Sequence, residues 1–243
     1  MMRKLRLAVV ITALCLPFVS LRAQIIQSPL KYALKSPGNS KGCAVIIILH
    51  GYGGEEQGMM SLAEGDLGAG KAVFSLRAPI ITDSKGYCWY QMQFLPDGKF
   101  KYDYADVIKS RNLILDFILK ACREFKLDST NVTLMGFSQG AIMSYELSLY
   151  APHKIKNVVA LSGRMLDESR AHTVNEKQMS RLGYFIGHGT EDDVIKVAES
   201  EKAAGYLKTK KARVVDLKKY KFKHTITADE LADIKKWLSA SAK

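Results

Sequence analysis

Gly136-Phe137-Ser138-Gln139-Gly140 sets a serine between two glycines. A short apolar segment, Asn131 to Met135, runs into it, and a helical pattern from Gln139 to Leu149 leaves it and closes before Pro152. The pentapeptide alone is a weak signal, and without that placement it is only a glycine-rich helix start. At a strand-to-helix turn, however, a serine takes a strained backbone with Oγ projecting, and the flanking glycines let neighbouring segments approach without a Cβ clash. A hydroxyl presented in this way is a nucleophile. The N–H groups at the start of the helix can stabilise an oxyanion as it develops.

A nucleophilic serine needs a base, and the base needs an acid to orient it. Of the five histidines, His224 is the one lying beyond a good acid candidate in the chain order Ser, Asp, His. Asp192 follows a strand ending near His188, and His224 follows a strand ending near Tyr220, so both belong at the edge where strand C-termini open. Glu191 and Asp193 carry the same charge beside Asp192. The acid is therefore read as Asp192, with Asp193 as the alternative. His50-Gly51-Tyr52-Gly53-Gly54 ends an earlier strand and suits a second oxyanion loop, with the Tyr52 N–H as donor and His50 as a brace. His188 and Asp192 have no third ligand at metal-binding spacing and no HExxH motif accompanies them, so no metal is expected.

The elements that must carry these residues alternate. Cys43 to Leu49 and Ala72 to Leu76 are continuous apolar runs, the first rich in β-branched residues, and read as strands buried on both faces. From Tyr104 to Phe125 the apolar positions keep helical period. Strands at Asn131–Met135, Lys156–Leu161, Leu182–Ile186 and Ala212–Tyr220 alternate with helices at Gln139–Leu149, Ile195–Lys208 and Thr227–Leu238. Repeated βα units predict an α/β fold, a mostly parallel sheet covered by helices on both faces. Ala78 to Lys101 interrupts the alternation with Trp89, Tyr90, Met92 and Phe94, and is read as a loop lining the site, with core closure as the competing role.

Composition is that of a folded globular protein: 243 residues, 47% hydrophobic, 25% charged, 18 Gly and 6 Pro. Residues 1–23 read as a signal peptide. Arg3, Lys4 and Arg6 precede an apolar run from Leu7 to Val19, and Leu21-Arg22-Ala23 ends in the small residue that signal peptidase requires. The run is 13 residues, short of the ~20 that cross a bilayer. Cleavage after Ala23 predicts an exported, periplasmic or secreted chain, with residues 24–243 as one domain and no stable membrane insertion. Four of the 36 Lys and Arg lie in the leader, and 24 Asp and Glu lie outside it, so the remainder carries +8. Nine of its basic residues fall between Lys202 and Lys223, with Asp216 the one acid among them. That cluster is read as a solvated helix face and edge strand, and Tyr220-Lys221-Phe222-Lys223 belongs to no complete nucleic-acid module. Cys43, Cys88 and Cys122 remain after cleavage, which allows one disulfide but no disulfide framework.

In these blocks the chain resembles the phospholipase/carboxylesterase group of α/β-hydrolases, which includes acyl-protein thioesterases. The likeness runs through Leu49 to Gly54, Arg77-Ala78-Pro79 with Gly86 to Tyr90, Gly136 to Gly140, Leu161-Ser162-Gly163, His188 to Asp192 and His224, ending in the amphipathic helix to Leu238. It spans about Lys41 to Leu238 in order. The resemblance implies an α/β-hydrolase fold without a large cap domain, Ser138 as nucleophile, Asp192 as acid and His224 as base. It also implies an oxyanion hole from the Tyr52 and Gln139 amides, and an acyl cleft beside Trp89, Tyr90 and Met92. Asp193 and Lys196 stand where the family usually has proline, and Lys223 where bacterial members often have glycine. The implied activity is hydrolysis of a small-molecule, lipid or carbohydrate ester through an acyl-enzyme, with no cofactor. The alternatives are a thioesterase or lysophospholipase-like enzyme with the same triad, or a silent binding protein of this fold.

Overall fold

The computed structural model describes residues 26–63, 67–95 and 100–241, with the side chain of Phe94 left out; the expected leader lies outside the described residues. In chain order the elements are β1 (Tyr32–Lys35), β2 (Val45–Leu49), β3 (Ala72–Leu76), β4 (Ile80–Ile81), β5 (Tyr87–Cys88), β6 (Met92–Phe94), β7 (Phe100–Tyr102) and α1 (Tyr104–Glu124). There follow β8 (Val132–Phe137), α2 (Gln139–Tyr150), β9 (Asn157–Leu161), α3 (Asp167–Arg170), α4 (Glu176–Met179), β10 (Gly183–Gly189), α5 (Val197–Thr209), β11 (Val214–Tyr220) and α6 (Ala228–Ser241).

Seven strands form one sheet in the order β1-β3-β2-β8-β9-β10-β11. Only β1 is antiparallel to its neighbour; the other pairs are parallel. Every residue of β2, β3, β9 and β10 is buried, as a parallel sheet with both faces covered requires. One face packs Val45, Ile47, Phe74, Val158 and Tyr184 under α1, α2 and α5, and the other packs Ile46, Ile48, Val159 and Phe185 under Ile234, Trp237 and Leu238 of α6. Each such aliphatic or aromatic side chain contributes roughly 1.5–3 kcal/mol on burial. Register aligns the strand ends, with Leu49 opposite Gly136, Phe137 opposite Leu161, and Gly189 opposite Tyr220. The segments that follow these strands therefore share one edge.

The stretch from Ala78 to Lys101 differs from the loop expected. It holds two small antiparallel ladders, β4 with β5 and β6 with β7. Each strand has only two or three residues, too few to show an alternating pattern. The edge strand β1 was likewise hidden by its brevity and its exposed end, Leu34 and Lys35. Cys43 is half-buried, Cys88 and Cys122 are buried, and all three are free thiols. Much of the basic excess is met locally: Lys211 pairs with Glu176, Lys218 with Asp233 and Lys219 with Glu201. Among the described residues no helix is long and apolar enough to cross a membrane.

Candidate active site

Ser138 lies between β8 and α2 with φ 53° and ψ −115°. A non-glycine residue in that region costs on the order of 1–3 kcal/mol and needs its surroundings to hold it. Its N–H donates to Leu161 O at 2.9 Å, and its carbonyl accepts from Ala141 and Ile142 N–H at 3.0 and 3.1 Å. The flanking glycines are steric necessities. A Cβ on Gly136 would stand 2.2 Å from Gly140 O, and one on Gly140 would stand 2.0 Å from Leu49 O.

His224, in the segment between β11 and α6, places Nε2 2.9 Å from Ser138 Oγ and Nδ1 2.7 Å from Asp192 Oδ2. The Asp192 carboxylate is sealed from solvent while the His224 side chain keeps 15% of its exposure. Asp192 Oδ1 accepts the Val194 and Ile195 N–H groups, each at 2.9 Å. Burial pushes the Asp192 carboxyl up, but the hydrogen bonds from His224, Ile195 and Val194 outweigh it and hold the group below the usual range. Asp193 is exposed and faces Lys223 at 3.8 Å, so the residue on His224 is Asp192. Glu191 is also exposed.

Tyr52 and Gln139 stand at the two positions expected for amide donors. In the turn after β2, Gly53 N–H is taken by Tyr87 O and Gly54 N–H by Gly51 O, whereas the Tyr52 N–H has no hydrogen-bond acceptor among the described residues. Gln139 is the first residue of α2, where an N–H has no intrahelical partner. His50 fastens the turn: Nε2 accepts from Ala78 N–H at 3.0 Å, which leaves Nδ1–H to donate to Gly51 O at 2.7 Å. Burial holds this imidazole below its ordinary pKa, consistent with a neutral brace. Arg77 ties the same turn to its surroundings, donating to both oxygens of Glu56 and, at 3.0 Å, to Tyr87 OH.

Trp89 and Tyr90, expected at the substrate, are not on a cleft surface. Both are fully buried. The Trp89 indole donates to His50 O at 2.9 Å, Trp89 N–H donates to Gln139 Oε1 at 2.8 Å, and Gln139 Nε2 donates to Tyr90 O at 2.7 Å. Residues 89 and 90 form a bend rather than a strand, so both adjacent rings face the core, and these hydrogen bonds hold the turn after β2 and α2 in place. Met92 does reach the site: with Phe100, Gln139, Ile142, Val194 and Ile195 it lines a narrow apolar slot beside Ser138. A second cavity of about 230 Å³ opens along the turn after β2, lined by Tyr52, Glu55, Met59 and Phe137 among others. Phe100, Ile142, Val194 and Ile195 were missed because they come from three separate segments, β7, α2 and the connection between β10 and α5, that only folding unites. The Phe94 side chain lies outside the described part of the molecule.

Comparison with known proteins agrees with this architecture. The model of the phospholipase/carboxylesterase family matches residues 33–242. Acyl-protein thioesterase 1 of Emericella nidulans is 26% identical over 220 residues, covering 83% of this chain and 92% of the relative. Acyl-protein thioesterase 1 of Candida albicans is 26% identical over 221 residues, with 85% and 96% covered. Among solved structures, the Bacillus cereus carboxylesterase superposes with a TM-score of 0.74 at 24% identity, covering 87% of this chain and 94% of that one. A Mesorhizobium loti carboxylesterase gives 0.73 at 19% identity, with 88% and 97% covered. An α/β sheet of this order, a strained serine between glycines and a match over nearly the whole described chain lead to one assignment: the protein is a hydrolase of carboxylesterase type and belongs to the phospholipase/carboxylesterase family of α/β-hydrolases.

Proposed function

We propose that the protein is an exported serine ester hydrolase working through Ser138, His224 and Asp192. The observation that carries the reading is the continuous line from Ser138 Oγ through His224 to Asp192 Oδ2, with steps of 2.9 and 2.7 Å. Ser138 Oγ attacks the ester carbonyl carbon as its proton passes to His224 Nε2. The tetrahedral oxyanion takes hydrogen bonds from the Tyr52 and Gln139 amides. On collapse, His224 returns the proton to the departing alcohol, leaving an acyl-serine. Water then attacks the acyl carbon, giving its proton to His224, which passes it to Ser138 Oγ as the acid is released. Asp192 holds the imidazole with Nδ1–H toward its own carboxylate, leaves Nε2 to Ser138 and stabilises the imidazolium.

The two cavities divide the substrate. His224 must reach the leaving alcohol, and its ring lies against Phe137 with centroids 4.9 Å apart, so the cavity lined by Phe137 takes the alcohol. The slot along Met92, Phe100 and Ile142 takes the acyl group and, being apolar, keeps water from the intermediate. No step calls for a cofactor. A thioesterase reading is favoured by the curated relatives, which are acyl-protein thioesterases. Export rests on the basic, apolar and small-residue succession of residues 1–23; N-terminal sequencing of the protein recovered outside the cytoplasm should begin at Gln24.

The test compares kcat/KM for matched nitrophenyl esters and acyl thioesters of equal chain length. Hydrolysis of both, with loss of both in Ser138→Ala, supports the shared mechanism, and their ratio decides which is the better substrate. Turnover of neither by a folded wild-type protein contradicts the proposal.

A further inference from the structure

Asp192 Oδ2 has a second imidazole beside it. His188, fully buried in β10, places Nε2 3.2 Å from that oxygen and 2.8 Å from Ile195 O. Both neighbours of Nε2 are acceptors, so Nε2 carries a hydrogen. Nδ1 lies 2.6 Å from Ser200 Oγ, which also reaches Gly163 O at 3.3 Å. Two hydrogen-bond patterns satisfy this geometry. In one, Ser200 donates to Nδ1 and the ring is neutral; in the other, an imidazolium donates to Ser200, which donates to Gly163 O.

Burial lowers the proton affinity of His188, the hydrogen bond to Ile195 and the Asp192 charge oppose that, His224 adds to the lowering, and the net direction is down. The titratable groups facing the ring are Asp192 and His224. The neutral pattern is thus the working one. A neutral donor orients a carboxylate without cancelling the charge that the imidazolium of His224 needs. The same ring closes the turn it serves, because Ile195 gives its N–H to Asp192 Oδ1 and its carbonyl to His188.

We infer that His188 is a positioning residue for the acid of the triad, its Nε2–H holding the Asp192 carboxylate in the rotation that presents Oδ2 to His224, with Ser200 selecting the tautomer. The inference rests on the hydrolytic reading above. It also accounts for His188 and Asp192 as partners of each other rather than ligands of an ion.

The test uses His188→Leu, His188→Gln and Ser200→Ala, with near-ultraviolet circular dichroism to verify packing. His188→Leu should lower kcat on nitrophenyl acetate on the order of 10²-fold, the scale of a misplaced reacting group, with little change in KM. It should also displace the acid limb of the kcat/KM–pH profile toward lower pH and weaken the low-field proton resonance of the His224–Asp192 hydrogen bond. His188→Gln, which retains an N–H near the Nε2 position, should restore most of the rate. If His188→Leu does not fold, Ser200→Ala decides: a displaced acid limb supports the inference. Folded variants whose acid limb and resonance match the wild type, or equal losses in Leu and Gln variants that follow melting temperature alone, overturn it. A wild-type protein that takes no fluorophosphonate overturns the hydrolytic reading and this inference with it.

Discussion

The carboxyl of Glu230, on the first turn of α6, lies directly over Gly187 of β10, where a Cβ would stand 2.0 Å from Oε1. Glu230 is fully buried, and neither oxygen has a hydrogen-bond partner among the described residues. Burial pushes this carboxyl up to about 7 from an ordinary value of 4.5. The folded state therefore binds more protons than the unfolded state between those values. Stability is greatest below the unfolded value and is lost as pH rises through the folded one, by roughly 3 kcal/mol for a shift of this order. Glu230→Gln, neutral at every pH, should flatten the stability profile between pH 4.5 and about 7 in urea titrations. Identical slopes for variant and wild type would show that Glu230 is not the group responsible.

The acid proposed for the triad can be separated from its neighbour. Asp192→Asn should leave His224 in the wrong tautomer and lower kcat by three to four orders of magnitude, roughly as in other triads, while the exposed Asp193→Asn should retain near wild-type turnover. Steady-state kinetics on one nitrophenyl ester checks both, and the reverse result would move the acid by one residue.

Met92 and Trp89 are three residues apart but have different surroundings, so their alanine variants should fail differently. Met92→Ala widens the slot and should shift the preference toward longer acyl chains, by roughly 1–3 kcal/mol in relative kcat/KM. Trp89→Ala leaves a void under the turn after β2 and should cost about 3–5 kcal/mol of stability, with equal loss on every chain length. A chain-length series beside thermal melts distinguishes the two, and a uniform effect of Met92→Ala would remove it from the acyl wall.

The parallel strands and the long helix were legible because each carries its own signal. Val45 to Leu49 is apolar without interruption, and Val107, Ile114, Phe117, Ile118 and Ala121 bury one face of α1. Ser138, Asp192 and His224 could be expected to meet because each follows a strand, and strand C-termini of a parallel sheet share an edge. What the sequence hid depends on which way a short segment turns. Trp89, Tyr90 and Met92 are close neighbours of similar character, yet the bend at residues 89 and 90, pinned by Trp89 N–H on Gln139 Oε1 and by Gln139 Nε2 on Tyr90 O, turns both rings inward while Met92 faces Ser138. The second histidine on Asp192 was hidden for a related reason. His188 sits four residues before the acid, and only the turn closed by Ile195 brings its ring back against the carboxylate.

The most direct test of the central claim is the intact mass of the wild-type protein after reaction with a fluorophosphonate, followed by peptide mapping. A hydrolase working through Ser138 should gain one phosphonyl group per chain, located on Ser138, and Ser138→Ala should gain none while keeping its circular dichroism spectrum. Labelling at another residue, or undiminished labelling of Ser138→Ala, would contradict the assignment of Ser138 as the nucleophile.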